Sequence, residues 1–212
     1  MTVACPVVLT DDVREHCAAI AASARHVRID PHVEIEPGGI SGLDPQLHFL
    51  EGSREQVARY VLTLDAINFG SGWFEELGVD TEGLTARLTA HVREHGPWGN
   101  EALRALDAAA VGAVLGLDPA HALTRLYAEA LNQLGAFLAD RPALSVLAPT
   151  AEATAQRLTA MPFFDDRGFY KRAQITAHDL HLAGVADFPD LDRLTVFADN
   201  LVSHVLRLDG VL

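Results

Sequence analysis

Hydrophobic positions recur at helical spacing along most of the chain, and the polar residues between them mark where helices begin and end. A first helix is predicted over 13–27, capped by Thr10 or Asp11. The stretch 29–45 alternates briefly and then breaks at Pro37, Gly38, Gly39, Gly42 and Pro45, so it reads as a loop with a short β element near residues 31–36. Ser53 followed by Gln56 is a capping-box signature, in which each side chain answers the other residue's backbone N–H. Val57, Tyr60, Val61 and Leu64 continue that helix, and Gly70 and Gly72 end it. Helices follow over 82–95, stopped by Gly96-Pro97, over 100–117 with Asn100 as cap, and over 120–140 behind the opening pair Asp118-Pro119. Three more lie over 150–158, 169–184 and 191–208. No repeat, low-complexity tract or linker interrupts the series. The pattern predicts an all-α fold, a single irregular helical domain over 1–212.

Composition narrows the class. The 212 residues are 49% hydrophobic and 21% charged, which suits a globular chain with a substantial core. No apolar run approaches the roughly 20 residues that cross a bilayer, and the start "MTVACPVVLTDD" lacks a basic leader region, so a cytoplasmic protein without membrane contact is expected. Cys5 and Cys17 are too few for a disulfide framework and lack metal-ligand spacing; they read as a terminal thiol and a small helix-packing residue. Sixteen basic residues stand against 29 acidic ones, a net charge of -13. Gripping a nucleic-acid backbone needs cations that displace its counterions, so no polynucleotide partner is expected. A small anion needs only one Lys or Arg pocket.

Polar residues on apolar faces are the candidates for chemistry. On the helix after Ser53, Asn68 falls near the centre of the Val57/Val61/Leu64 stripe and Asp65 inside its edge. A carboxylate there must be paired, hydrogen-bonded or open to a cleft; capping of neighbouring backbone is the plainer explanation. Phe69, Trp73 and Phe74 follow at once, either as core or as the wall of a pocket for a flat ring. In the last helix Leu194, Phe197, Ala198, Leu201, Val202, Val205 and Leu206 form an apolar face, with Asp199 at its border. A half-desolvated carboxylate in that position is a strong partner for developing positive charge; a solvated rim acid is the alternative. In "FYKRAQITAHDLHLAG", Lys171, Ile175 and Asp179 share one face, and Lys171 sits near free helix amides that also favour an anion. Asp179 is expected to brace Lys171, and a solvated ion-pair face competes with that reading.

Two metal patterns occur. His91 to His95 reads HxxEH, the inverted zincin order, although His95 immediately precedes Gly96-Pro97, where histidine commonly serves a helix end. His178-Asp179 resembles the HD pair of helical metal-dependent phosphohydrolases, with His48 or His91 and Asp199 as further ligands. No Walker loop, GxGxxG or GxSxG is present.

Taken together, "LHFLEGSREQVARYVLTLDAINFGSGW", "FFDDRGFYKRAQITAHDL" and "LTVFADNLVSHVLRLDGVL" resemble the queuosine salvage family, over most of the chain and in order. The runs Leu64 to Phe69, Phe169 to Gln174 and Phe197 to Asp199 are the most specific. The resemblance implies an N-glycosylase that hydrolyses queuosine 5'-monophosphate, a small-molecule nucleotide, and releases queuine for reuse in tRNA modification. It also implies an all-helical fold distantly similar to helix-hairpin-helix DNA glycosylases, with no cofactor and no metal. By the same resemblance Asp199 is the catalytic carboxylate, and Lys171, Asp65, Asn68, Phe69 and His48 line the pocket. Phe197 joins that wall, Phe69 and Trp73 stack on the base, Lys171 with Arg172 holds the 5'-phosphate, and Asp65 or His48 protonates the departing base. A metal-dependent phosphohydrolase and a non-catalytic deazapurine nucleotide binder are the alternatives. The chain departs from the family where many relatives read Phe-Ala-Asp-Tyr-Arg-Val-Pro-Gln: Asn200, Leu201, Val202, Ser203 and His204 follow Asp199, so the arginine's role does not transfer. Relatives also continue beyond "DGVL", so part of the pocket is expected to be absent or contributed by another molecule.

Overall fold

The computed structural model describes residues 8–34 and 42–212. Among them the fold is all-helical. Its helices are α1 (Leu9–Ser23), α2 (Arg54–Ala66), α3 (Phe74–Leu77), α4 (Thr81–His95) and α5 (Asn100–Ala105), followed by α6 (Ala108–Leu115), α7 (Ala122–Leu138), α8 (Ala151–Leu158), α9 (Lys171–Leu182) and α10 (Asn200–Leu208). Short 3₁₀ turns join several of them.

Helix α7 forms the spine of the core. Leu123, Tyr127, Leu131, Leu134 and Leu138 repeat every three or four residues and are all fully buried. Helices α5, α6 and α2 pack around it. The approach of α5 is close enough that a Cβ at Gly135 would stand 2.8 Å from the Asn100 carbonyl oxygen and the Arg104 nitrogen, so only glycine fits there. Helix α2 also packs on α9, which in turn packs on α8. Asp65 and Asp179 therefore arise on neighbouring helices.

The Ser53–Gln56 capping box forms in full: Gln56 N–H donates to Ser53 Oγ at 3.3 Å, and Ser53 N–H to Gln56 Oε1 at 2.9 Å. Elsewhere tertiary contacts reassign the expected caps. Helix α1 starts at Leu9 and ends at Ser23, earlier at both ends than 13–27. Thr10 is inside it and buried, its N–H and hydroxyl both donating to Glu152 Oε1 (2.8 and 2.7 Å). Asn100 is not a cap; it ties α5 to the end of α7 by donating to the Ala139 and Arg141 carbonyls, both at 2.8 Å. The expected 100–117 helix breaks at Leu106, because Asp107 turns its carboxylate onto Ala110 N–H and starts α6. His121, not Asp118, caps α7; Asp118 instead accepts from Ala120 N–H in the preceding turn. Residues 31–34 contain a turn and no strand, and 35–36 lie outside the described residues, as does Cys5. Cys17 is exposed rather than packed.

The largest correction falls at the C-terminal end. The expected helix over 191–208 is a 3₁₀ turn (Leu191–Arg193), a stretch outside regular helix over 194–199, and only then α10. Thr195 N–H is taken by Gln174 Oε1, so the backbone cannot spend it on a helical turn. No residue of α10 is buried, and Leu201 and Leu208 stay 64% and 72% exposed. No described helix is long and apolar enough to cross a membrane.

Candidate active site

Two adjoining hollows lie where the C-terminal end of α2 meets α9. The inner one, about 130 Å³, is lined by Asp65, Ile67, Asn68 and Phe69 from the end of α2, Phe74, Thr81, Leu84 and Thr85 from α3 and α4, and Tyr127, Asp179 and His48. The outer one shares Asn68, Phe69, Phe74 and Thr81, and adds Lys171, Ile175, Phe197, Asp199, Asn200, Leu201 and Val202. Their common wall begins where α2 stops. Phe69 is fixed there by an edge-on contact with the Tyr127 ring at 5.0 Å, and the Tyr127 hydroxyl donates to the Phe69 carbonyl at 2.8 Å. Burial pushes the Tyr127 phenol pKa well up, so the hydroxyl keeps the proton it donates here.

In the inner hollow Asp65 is 1% exposed, and its Oδ2 has no hydrogen-bond partner among the described residues. Burial first, and the neighbouring Asp179 carboxylate second, raise its pKa well above the usual carboxylate range. Asp65 therefore tends to keep its proton. His48, on the same wall, shares a hydrogen bond between its Nδ1 and the Asp44 carbonyl at 3.0 Å.

In the outer hollow the Lys171 ammonium donates to Asp199 Oδ2, while Asp199 Oδ1 accepts from Leu201 N–H at 2.8 Å. Asp199 is thus the cap of α10 and not a residue on its flank. The Lys171 ammonium, and after it the Leu201 amide, hold this carboxyl below its ordinary pKa. A group so held is anionic at neutral pH. Its position is set by fully buried Gln174, which accepts from Thr195 N–H at 2.8 Å and donates to Thr195 Oγ1 and the Phe169 carbonyl, both at 2.9 Å. Lys171 is placed in turn by Asp166, whose Oδ2 accepts the Lys171 N–H at 2.9 Å, and by Tyr170, which holds a left-handed turn at φ 48°.

Of the residues expected at the site, His48, Asp65, Asn68 and Phe69 line the inner hollow, and Asn68, Phe69, Lys171, Phe197 and Asp199 the outer. Trp73 and Arg172 line neither. The Trp73 ring stands edge-on to His121 at 6.1 Å, and Phe74 takes the wall position expected of it. Arg172 lies one residue, or about 100° of helix, from Lys171. Its guanidinium lies over the rings of Phe69, Phe163 and Phe164 at 4.9, 5.4 and 5.7 Å. Asp179 does not brace Lys171, which pairs with Asp199; it belongs to the inner hollow, with His178 Nδ1 3.7 Å away. Tyr127, Thr81 and Asp179 are lining residues that the sequence did not single out for the pocket. Only Asp179 carried a signal, being two turns from Lys171 on one helix face.

The histidines of the HxxEH run do not converge on a cation. The His91 and His95 ring centroids lie 4.8 Å apart with their planes tilted by 59°, and His91 also lies 4.9 Å from the Trp98 ring. Among the described residues no three His, Cys, Asp or Glu side chains are grouped as metal ligands, so neither metal pattern gains a ligand set.

Residues 124–212, which carry Lys171, Gln174 and Asp199, match the family described as Queuosine salvage protein. Over 198 residues the chain is 34% identical to the queuosine 5'-phosphate N-glycosylase/hydrolase of Sphaerobacter thermophilus, an alignment covering 79% of this chain. The chain spans about 60% of the length of that relative. On these two comparisons, the chain is similar to the queuosine salvage family over part of its length.

Proposed function

We propose that the protein hydrolyses the N-glycosidic bond of queuosine 5'-monophosphate and releases queuine. The observation that carries the reading is Asp199: a carboxylate kept ionised by Lys171 and a helix amide, on the wall of an apolar hollow that adjoins a second, acidic one. The similarity to a protein named for this reaction supports the substrate.

Breaking the bond between the anomeric carbon and the base nitrogen sends the bonding pair to the base and leaves positive charge on the anomeric carbon and ring oxygen. A fixed anion beneath the sugar lowers the energy of that state more than that of the ground state. Asp199 fills this role. Water then bonds to the anomeric carbon and gives up a proton, and the departing base gains one. Asp65, which tends to hold its proton, and His48 are the groups of the inner hollow able to supply it. Phe69, shared by both hollows, and Phe197 offer faces to the base and sugar.

Lys171 serves twice. An ammonium has three N–H donors, and Asp199 takes one, so the others are available to a 5'-phosphate entering the outer hollow. The test is direct: incubate the protein with queuosine 5'-monophosphate and measure free queuine. Release that requires Asp199 supports the proposal; binding of the nucleotide with no free base over long incubation overturns it.

A further inference from the structure

The positive charge of this acidic chain is not spread evenly. Among the described residues every Lys and Arg side chain but three meets a carboxylate, a backbone carbonyl or, for Arg172, aromatic rings. The three without such a partner, Arg25, Arg28 and Arg207, all line one open groove of about 840 Å³. His26 and His204 stand beside them, and no described carboxylate shares the wall. One bank of the groove is the stretch 24–30 after α1; the other is the α10 face bearing Asn200, His204 and Arg207, at steps of four and three residues. Asp30 N–H donates to the Val211 carbonyl at 2.8 Å, and Val211 is buried, so the two banks are tied together. Asn200 also lines the outer hollow, so the groove begins beside Asp199 and runs about 10 Å along α10 to Arg207. In a chain with 29 acidic residues against 16 basic ones, partners for arginine are abundant. Three guanidinium groups gathered without one raise each other's energy, and an anion seated among them reverses that.

We propose that this groove is a second anion site, which takes a ligand carrying two or more closely spaced phosphates on Arg25, Arg28 and Arg207. The site goes beyond the hydrolase reading and requires neither Asp199 nor Lys171. A guanidinium presents its N–H donors in a planar fork that matches two oxygens of one phosphate. No Phe, Tyr or Trp lines the groove, whose apolar members are Val27 and Leu212, so the ligand is held through phosphate and not by stacked bases. Three guanidinium groups suit a short phosphate chain and not the long backbone of a duplex, which the net charge of -13 repels. Two sources share this chemistry. One is a free polyphosphate; the other is a short nucleotide chain whose phosphates continue from the 5' side of a nucleotide in the outer hollow, past the shared Asn200 wall.

The experiment is calorimetric titration of the full chain with tripolyphosphate and with inorganic phosphate, at constant ionic strength. Wild-type protein is expected to bind tripolyphosphate at least about tenfold more tightly, because several charge-assisted bonds replace one or two. Arg28→Gln combined with Arg207→Gln changes two exposed side chains that make no bond among the described residues. This double variant should lose about tenfold or more in tripolyphosphate affinity and hydrolyse queuosine 5'-monophosphate at the wild-type rate. Lys171→Met should leave tripolyphosphate affinity unchanged, which separates the groove from the outer hollow. Equal affinity in the wild type and the double variant, loss in Lys171→Met alone, or no binding of tripolyphosphate overturns the site. A 5'-phosphorylated dinucleotide ending in queuosine then tells the two sources apart. Less efficient hydrolysis of it by the double variant than by the wild type assigns the groove to attached phosphates, and equal hydrolysis assigns it to free polyphosphate. Titration reads binding without turnover, so a protein that binds tripolyphosphate through these arginines and releases no queuine supports the groove and removes only the hydrolase.

Discussion

Thr195 gives its backbone N–H to Gln174 Oε1 at 2.8 Å, and this bond joins the segment leading to Asp199 to the helix that bears Lys171. Gln174 also receives the Thr195 side chain and grips the Phe169 carbonyl, so one buried amide sets both ends of the Lys171–Asp199 pair. Gln174→Leu removes all of these bonds. It is expected to lower kcat by about 10- to 100-fold, since displacements near 1 Å cost that much in a positioned site, with a smaller change in KM. Thr195→Val keeps the backbone bond and should retain most of the rate. Steady-state kinetics on queuosine 5'-monophosphate check both; equal loss in the two variants would remove the positioning role.

Asp199→Asn separates capping from charge. Asparagine caps helices as well as aspartate, so α10 and the melting temperature should persist. Turnover should fall by about 10²-fold or more, because the proposed mechanism sets this anion against the developing cation. Calorimetry with free queuine should still register binding.

Lys171→Met tests the other partner through pH. Lys171 depresses the Asp199 pKa, so its removal raises it and moves the acid limb of the kcat profile to higher pH. The same variant should narrow the preference for nucleotide over nucleoside. An unmoved acid limb argues that Asp199 is not the group titrating.

Tyr127→Phe removes the hydroxyl that caps the Phe69 carbonyl behind the shared wall. Leaving that carbonyl unmatched should cost about 1–3 kcal/mol of stability, read from the denaturant midpoint at constant slope. Because Phe69 lines both hollows, KM should rise in the same variant.

Local signals made most helices readable, and long-range ones decided the site. The Ser53–Gln56 box and the Thr150 start of α8 depend on neighbours a few residues apart, so the sequence displays them. Thr10 looked like a cap because nothing local reveals Glu152. The run ending in "FADN" has a strong helical apolar period, yet Gln174 captures the Thr195 N–H and delays the helix to Asn200. Asp199 thereby changes from a flank residue to a cap paired with Lys171, which no periodicity could indicate. Asp179 was misplaced for a similar reason: Lys171 shares its face, but the hollow that Asp179 lines is shared with Asp65, which lies on another helix.

The burial of Asp65 carries a consequence for stability that pH exposes. In the unfolded chain an aspartate loses its proton near pH 3.9. In the fold, burial and Asp179 raise that value well above this, so folded Asp65 retains a proton that the unfolded chain has released. Above about pH 3.9 the unfolded state therefore binds fewer protons at this residue, and stability falls as pH rises, until Asp65 ionises in the fold as well. Asparagine mimics the protonated acid and can donate to Asp179 as that acid would. Asp65→Asn should thus leave stability nearly unchanged at pH 3.5 and increase it by about 1–3 kcal/mol near pH 7, the scale of relieving an unmatched buried group. Urea denaturation of both proteins at several pH values measures the difference. A gain that is constant, or that shrinks with rising pH, would show that Asp65 is ionised in the fold at neutral pH.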